Sequence, residues 1–224
     1  MIVVKPRGGL CNYLRVIFSY YLLAQKQQQD LIVIWIITNK CPGWFLDFFE
    51  PVKGIIFERT NDKQYKINHA GCRQHRNFQP NYTYLKPLSI INNIIKEKQS
   101  LLKNNYIAVH IRRTDHVNLA QKHNMYTSDT DFCNFIDGEL SSHLAPINLY
   151  IATDNNLTYD TFKQKYNNIV KIPYHDVVIE GFRKTTLRDA IVDLFTCARA
   201  HRFKGSGYSS FSGLINSLRL IPNI

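Results

Sequence analysis

The segment NYIAVHIRRTDHVNLAQKH (residues 105–123) passes from apolar to charged within a few residues. Tyr106 to Ile111 is a run of apolar side chains interrupted only by His110, the composition of a buried strand. The chain then turns polar through Arg112, Arg113, Thr114, Asp115 and His116. Side chains alternate along a strand, so His110 and Arg112 point one way and Ile111 and Arg113 the other. In an open α/β sheet, ligands bind outside the carboxyl ends of the strands. The charged end of this segment is therefore the first candidate for a site.

The same grammar recurs on both sides. IVVKP (2–6) reads as a buried strand, RGGLCN (7–12) as a tight loop and residues 13–29 as a helix with a polar end. LIVIWII (31–37) and GIIFER (54–59) read as further strands, and residues 60–87, polar and aromatic without a period, as loop. Apolar residues at helical spacing predict a helix over 88–103, leading into the 106–111 strand. Ser128 is placed to cap a helix through Leu140, NLYIATD (148–154) reads as a strand, YDTFKQKY (159–166) as helix, and IVKIP (169–173) as a short strand. Leu187, Ala190, Ile191, Leu194, Phe195 and Ala198 form one apolar face behind Thr186 and Asp189 at capping-box spacing. A last strand and loop, HRFKGSG (201–207), precedes a last helix. Strand, glycine loop, helix, strand is the pattern of parallel α/β units, and two successive halves are expected, residues 1–87 and 88–224.

Composition bounds the chemistry. The 224 residues include 45% hydrophobic side chains, enough for a globular core. Lys plus Arg outnumber Asp plus Glu by 28 to 17, a net charge of +11 that favours anionic partners. No basic block stands out, which argues against a nucleic-acid tail. Five separated cysteines without a CxxC pair fit a reducing compartment better than a disulfide framework or a zinc site. His69, His75, His123, His143, His175 and His201 lack metal-ligand spacing, and no metal is implied. The opening MIVVKP lacks the layout of a signal peptide, and no apolar run is long enough to span a bilayer. A soluble, cytoplasmic protein is expected.

Four clusters fall at strand ends, and each has a functional and a bland reading. Arg112 can offer a planar fork to a phosphate, with His110 in support and Asp115 placed to orient a group or accept a proton. Alternatively, Arg112 and Arg113 are surface arginines bridged to Asp115. Gly8 and Gly9 permit close backbone approach, and the helix after them can face an anion or a sugar hydroxyl; alternatively, they form an ordinary strand-to-helix turn. KGSGYSSFSG (204–213) offers hydroxyls and N–H groups at a helix start, a phosphate cradle, although Ser209 or Ser210 can equally be a plain N-cap. Asp154 can accept two hydrogen bonds from a guanine edge, or cap the next segment.

Taken in order, these segments resemble the fucosyltransferases that use GDP-fucose. RGGLCNYLR resembles the N-terminal Gly-Gly-Leu motif of the α1,2-, protein-O- and Nod-factor fucosyltransferases. VHIRRTDHV resembles the HxRRxD segment of the core α1,6 enzymes. LYIATDN is similar to the family strand that follows, and LRDAIVDLFTCARAHRFKGSGYSSFS to its final donor-binding stretch. The resemblance implies a GT-B-like fold, two Rossmann-type halves facing a cleft, with a minimal N-terminal half on the acceptor side and the donor on the C-terminal half. It implies an inverting, metal-independent transfer of fucose from GDP-fucose to a glycan hydroxyl, without a cofactor. Arg112 would hold the β-phosphate; His110 and Asp154 would contact the guanosine; Ser206, Ser209 and Ser210 would bind phosphate; Gly8, Gly9 and Asn12 would lie across the cleft. Asp115 would orient the site. The core α1,6 enzymes carry Lys and Glu where His116 and Ala120 stand here, so Asp115 and His116 become the candidates for proton transfer. Two other readings compete: a nucleotide-sugar-binding module without turnover, and a basic nucleic-acid-binding protein.

Overall fold

The computed structural model describes residues 1–114, 117–173, 185–222 and 224. The chain divides into two units, Met1–Leu88 and Ser89–Ile224. In the first, strands β1 (Ile2–Pro6), β2 (Leu31–Ile34), β3 (Ile55–Glu58) and β4 (His69–Gly71) form a parallel sheet in the order β3-β2-β1-β4. Helix α1 (Leu10–Lys26) connects β1 to β2. Its buried residues Leu10, Tyr13, Leu14, Ile17, Phe18, Tyr21 and Ala24 recur at helical spacing and give it one face for the sheet. An aromatic cluster continues this core: Trp35 meets Tyr13 edge to face at 4.8 Å, and Phe45 stacks on Phe57 at 4.2 Å. The indole N–H of Trp35 donates to the Gly43 carbonyl at 2.8 Å, so the buried ring leaves no polar atom stranded.

The second unit holds α2 (Ser89–Leu101), β5 (Tyr106–Ile111), α3 (Val117–Lys122), α4 (Asp129–Ser142), β6 (Asn148–Thr153), α5 (Asn156–Lys165), α6 (Leu187–Ala198), β7 (Arg202–Gly205) and α7 (Ser210–Leu218). Its sheet is parallel, ordered β6-β5-β7. Central β5 is buried on both faces, and its alternation sorts the helices. Ile107, Val109 and Ile111 pack with Phe132 and Ile136 of α4 and Tyr159 and Phe162 of α5. On the opposite face, the Tyr106 hydroxyl donates to the Thr196 carbonyl of α6, and the His110 ring meets Ser212 of α7. Ser128 and Asp131 form a capping box at the start of α4, and Thr186 caps α6.

Four readings of the sequence are corrected. Residues 60–87 contain β4, which extends the sheet beside β1, and a 3-10 turn at Tyr82–Tyr84. The segment 169–173 makes a single bridge, Leu149 to Val170, and the Ile172 carbonyl accepts from the Tyr159 hydroxyl instead of a strand partner. β2 ends at Ile34, short of Ile37. α3 was not expected.

Candidate functional site

The register sets three strand ends side by side: Ile111 pairs with Thr153, and His110 with Gly205. The residues that follow, 112–114, 154–155 and 206–209, therefore leave the sheet at one edge. Asp154 is buried there, 7% exposed. Its carboxylate is 3.1 Å from Arg112 Nε and accepts from the Arg113 N–H at 2.8 Å and from the Thr114 hydroxyl. A carboxylate with these partners fixes both the path of the chain after β5 and the plane of the Arg112 guanidinium. Asp154 does not cap the next helix: Asn155 does, its side chain accepting from the Thr158 N–H at 2.8 Å.

Ser206 joins β7 to β5. Its hydroxyl accepts from the Arg112 N–H at 2.9 Å and donates to the His110 carbonyl at 3.2 Å. His110 is buried, with Nδ1 2.7 Å from Ser212 Oγ and its ring 4.6 Å from that of Phe211. Ser209 is the N-cap of α7, accepting from Ser212, and Ser210 is the first helical residue. The α7 N-terminus, with its orphan N–H groups, thus begins directly after the β7 end.

The two arginines of the opening segment have separate surroundings. Arg113 pairs with Asp129, donates to the Thr127 carbonyl at 3.2 Å and lies over the Phe132 and Tyr126 rings. It clamps the segment before α4 to the end of β5. Thr127 also accepts from the Gly207 N–H at 2.9 Å. A side chain at Gly207 would place its Cβ 2.0 Å from the Met125 carbonyl oxygen, and one at Gly205 would reach Ser212 at 2.5 Å. Both glycines permit close approach around the site, not unusual turns. Thr127 and Asp129 are the contributors that sequence reasoning passed over; Ser212 lay within the 204–213 cluster but was given no role of its own. Asp129 carried a visible signal, an acid beside the Ser128 cap, but no indication of its partner.

Asp115 and His116 lie outside the described residues. Gly8, Gly9 and Asn12 belong to the first unit, at the end of β1. Gly8 has φ +97°, and a Cβ there would stand 2.7 Å from Asn12 Nδ2. Gly9 precedes α1 without a side-chain cap. Asn12 accepts from Arg15 Nη2 at 2.7 Å, and the same nitrogen donates to the Cys72 carbonyl at 2.9 Å.

Among the described residues no group of three or more His, Cys, Asp or Glu side chains could hold a metal ion. No helix among them is long and apolar enough to cross a membrane.

No protein-family model matches the chain, nor does any curated protein. Solved structures do. The crystal structure of NodZ alpha-1,6-fucosyltransferase soaked with GDP-fucose is similar with a TM-score of 0.68 and 16% identity, over 97% of this chain and 92% of that one. Fucosyltransferase NodZ from Bradyrhizobium gives 0.67 and 16%, over 96% of this chain and 92% of that one. POFUT1 in complex with GDP gives 0.71 and 13%, over 97% and 94%. The chain has the α/β fold of these enzymes.

Proposed function

We propose that this chain is a fucosyltransferase that moves fucose from GDP-fucose to a glycan hydroxyl, with the donor on the second unit and the acceptor on the first. The observation that carries the reading is the meeting of Arg112, Asp154 and Ser206 at one sheet edge, on a fold similar to those of NodZ soaked with GDP-fucose and POFUT1 in complex with GDP. In this reading the Arg112 guanidinium, oriented by Asp154, holds the β-phosphate. The first turn of α7 and the hydroxyls of Ser206, Ser209 and Ser210 bind the diphosphate oxygens. His110 and Asp154 shape the guanosine end.

The acceptor oxygen attacks C1 of the fucosyl group from the face opposite the diphosphate. The C1–O bond to the β-phosphate breaks, and its electron pair leaves with the phosphate oxygen. The acceptor proton passes to a base, for which Asp115 and His116 are the candidates. One displacement inverts the anomeric centre. Arg112 stabilises the charge that develops on the leaving group, the role a divalent cation fills elsewhere, so the reaction is proposed to be metal-independent.

Calorimetric titration of GDP and GDP-fucose, with chelator present, into wild type and Arg112→Ala tests the donor site. Wild type should bind both. The variant should bind at least tenfold more weakly, and its turnover should fall by about 100-fold, the scale for removing one charge-stabilising donor. Unchanged GDP affinity in the variant would remove Arg112 from the reading.

A second reading, donor binding without turnover, is favoured by one observation. Ala120, where the family resemblance sets a glutamate, is a buried methyl group on α3. GDP binding with no GDP release from GDP-fucose plus a panel of glycans would select this second reading.

A further inference from the structure

The net charge of the chain is unevenly divided. Residues 1–88 hold twelve of the 28 basic side chains and five of the 17 acidic ones, so the first unit carries +7 of the +11. Within it, neither residues 1–29 nor residues 63–88 contain an Asp or a Glu. These are the two stretches that the fold joins. β4 pairs with β1, Val4 to His69 and Pro6 to Gly71, and the Arg7 N–H donates to the Gly71 carbonyl at 2.9 Å. The chain after β4 then follows α1. Cys72 meets Arg15, the His75 N–H donates to Ser19 Oγ at 2.9 Å, and the Phe78 ring lies 5.9 Å from Lys26 Nζ. Arg15, Ser19 and Lys26 are spaced along one helix face.

The result is a basic strip. Arg7 stands at its head, Arg73 and Arg76 project from the loop, and Lys26 closes it, all four exposed, with Arg15 half-buried between them. Arg15 to Lys26 spans roughly 16 Å at 1.5 Å per helical residue. Lys66, also exposed, precedes β4. None of Arg7, Lys26, Lys66, Arg73 and Arg76 has a carboxylate partner among the described residues; the ion pair in this unit is Lys63 with Glu58. The α1 N-terminus opens beside Arg7 with no acidic residue in its first turn, which adds a positive dipole end. Clustered like charges repel, and a basic strip without counter-charges attracts anions to itself.

We infer that this strip binds an acidic saccharide, one bearing carboxylate, sulfate or phosphate groups, as the acceptor of the proposed transfer. The inference rests on the fucosyl-transfer reading for the identity of the ligand as a glycan. A single-stranded nucleic acid is the competing polyanion, and it needs open ring faces for its bases. The rings here are engaged with one another: Tyr20 stacks on His69 at 5.0 Å and meets His75 at 5.1 Å, and His75 meets Phe78 at 5.2 Å. The strip supplies cations without a stacking platform, which suits a saccharide polyanion.

The test uses the full chain and three probes: a sulfated uronic-acid hexasaccharide cut from heparin, neutral chitohexaose, and a single-stranded oligonucleotide matched to the first in charge. Affinities are measured at two salt concentrations for wild type, for Arg73→Gln/Arg76→Gln and for Arg7→Gln. Thermal melting checks that each variant is folded. The sulfated hexasaccharide should bind wild type at least tenfold more tightly than either other probe and weaken with salt. It should lose at least tenfold in the double variant and a smaller factor in Arg7→Gln. Chitohexaose binding equally well, the oligonucleotide binding as well or better, or unchanged affinity in both variants would each overturn the inference. GDP titrated into the same samples reads the parent assignment separately. GDP binding without hexasaccharide binding defeats this inference alone, whereas absence of GDP binding defeats the reading beneath it.

Discussion

Arg112 and Asp154 form an ion pair largely withdrawn from water, with Nε 3.1 Å from Oδ2 and side chains 17% and 8% exposed. They sit just past the ends of adjacent strands, and the same carboxylate holds the Arg113 N–H and the Thr114 hydroxyl. Removing it takes a shared buried acceptor from the Arg112 guanidinium, the Arg113 N–H and the Thr114 hydroxyl at once. Asp154→Ala should therefore cost about 3–5 kcal/mol, the range for deleting one partner of a buried pair. Urea unfolding checks this, with a lower midpoint at an unchanged slope. A loss below about 1 kcal/mol, the scale of an exposed pair, would mean that the segment after β5 is held by other contacts.

Ser206→Ala removes one oxygen that serves two strands. The His110 carbonyl keeps the Ser206 N–H, at 2.9 Å, but the Arg112 N–H loses its acceptor. The expected cost is about 0.5–1.5 kcal/mol, the net worth of one part-buried hydrogen bond. GDP affinity should fall with it, because the same N–H fixes where Arg112 leaves the sheet. Full stability with weakened GDP binding would instead identify the hydroxyl as a direct ligand group with no part in the frame.

Two glycines close in sequence should respond in opposite directions to alanine. At Gly207 the new methyl would lie 2.0 Å from the Met125 carbonyl oxygen, while at Gly213, inside α7, nothing lies within 4 Å. Gly207→Ala should destabilise by about 1–3 kcal/mol through overpacking. Gly213→Ala should stabilise by roughly 0.5–1 kcal/mol, because alanine loses less backbone entropy in a helix. Melting temperatures of the two variants measured side by side decide the matter, and destabilisation by both would refute the contrast.

What could be read from the chain depended on how local its signal was. β1, β5 and β6 are predominantly apolar runs, and α4 and α6 carry caps at fixed spacing, so a window of a few residues contains the information. β4 does not: His69, Ala70 and Gly71 are not fully buried and are recruited to the sheet by backbone pairing with β1. α3 has one buried side chain, Ala120, and hence no period to detect. IVKIP has the composition of a strand, yet Tyr159 takes the carbonyl of Ile172. At the site, the clustering of strand ends was legible, but the pairings were not. Arg112 with Asp154 and Arg113 with Asp129 are joined by register and by the return of α4, which no local pattern encodes. Asp154 and Asn155 are both good capping types, and only the backbone geometry selects Asn155 for α5.

His69 supplies a pH dependence with a definite sign. It lies on β4 at the edge of the first sheet, stacked on Tyr20, with Nε2 buried and without a hydrogen-bond partner among the described residues. Burial, chiefly, and the nearby His75 hold its pKa below the ordinary 6.5, against a backbone hydrogen bond at Arg73 that raises it. The folded chain therefore keeps the ring neutral at a pH where the unfolded chain has protonated it. Stability rises with pH wherever the unfolded state binds more protons. The contribution of His69 is thus complete above 6.5 and is lost as pH falls through that value toward the folded pKa. The urea midpoint of the wild type should decline as pH is lowered across this window. His69→Phe, which keeps a ring against Tyr20 and removes the titrating nitrogens, should decline less. An identical decline in the variant would assign the effect to other groups and show that the buried nitrogen is protonated without cost.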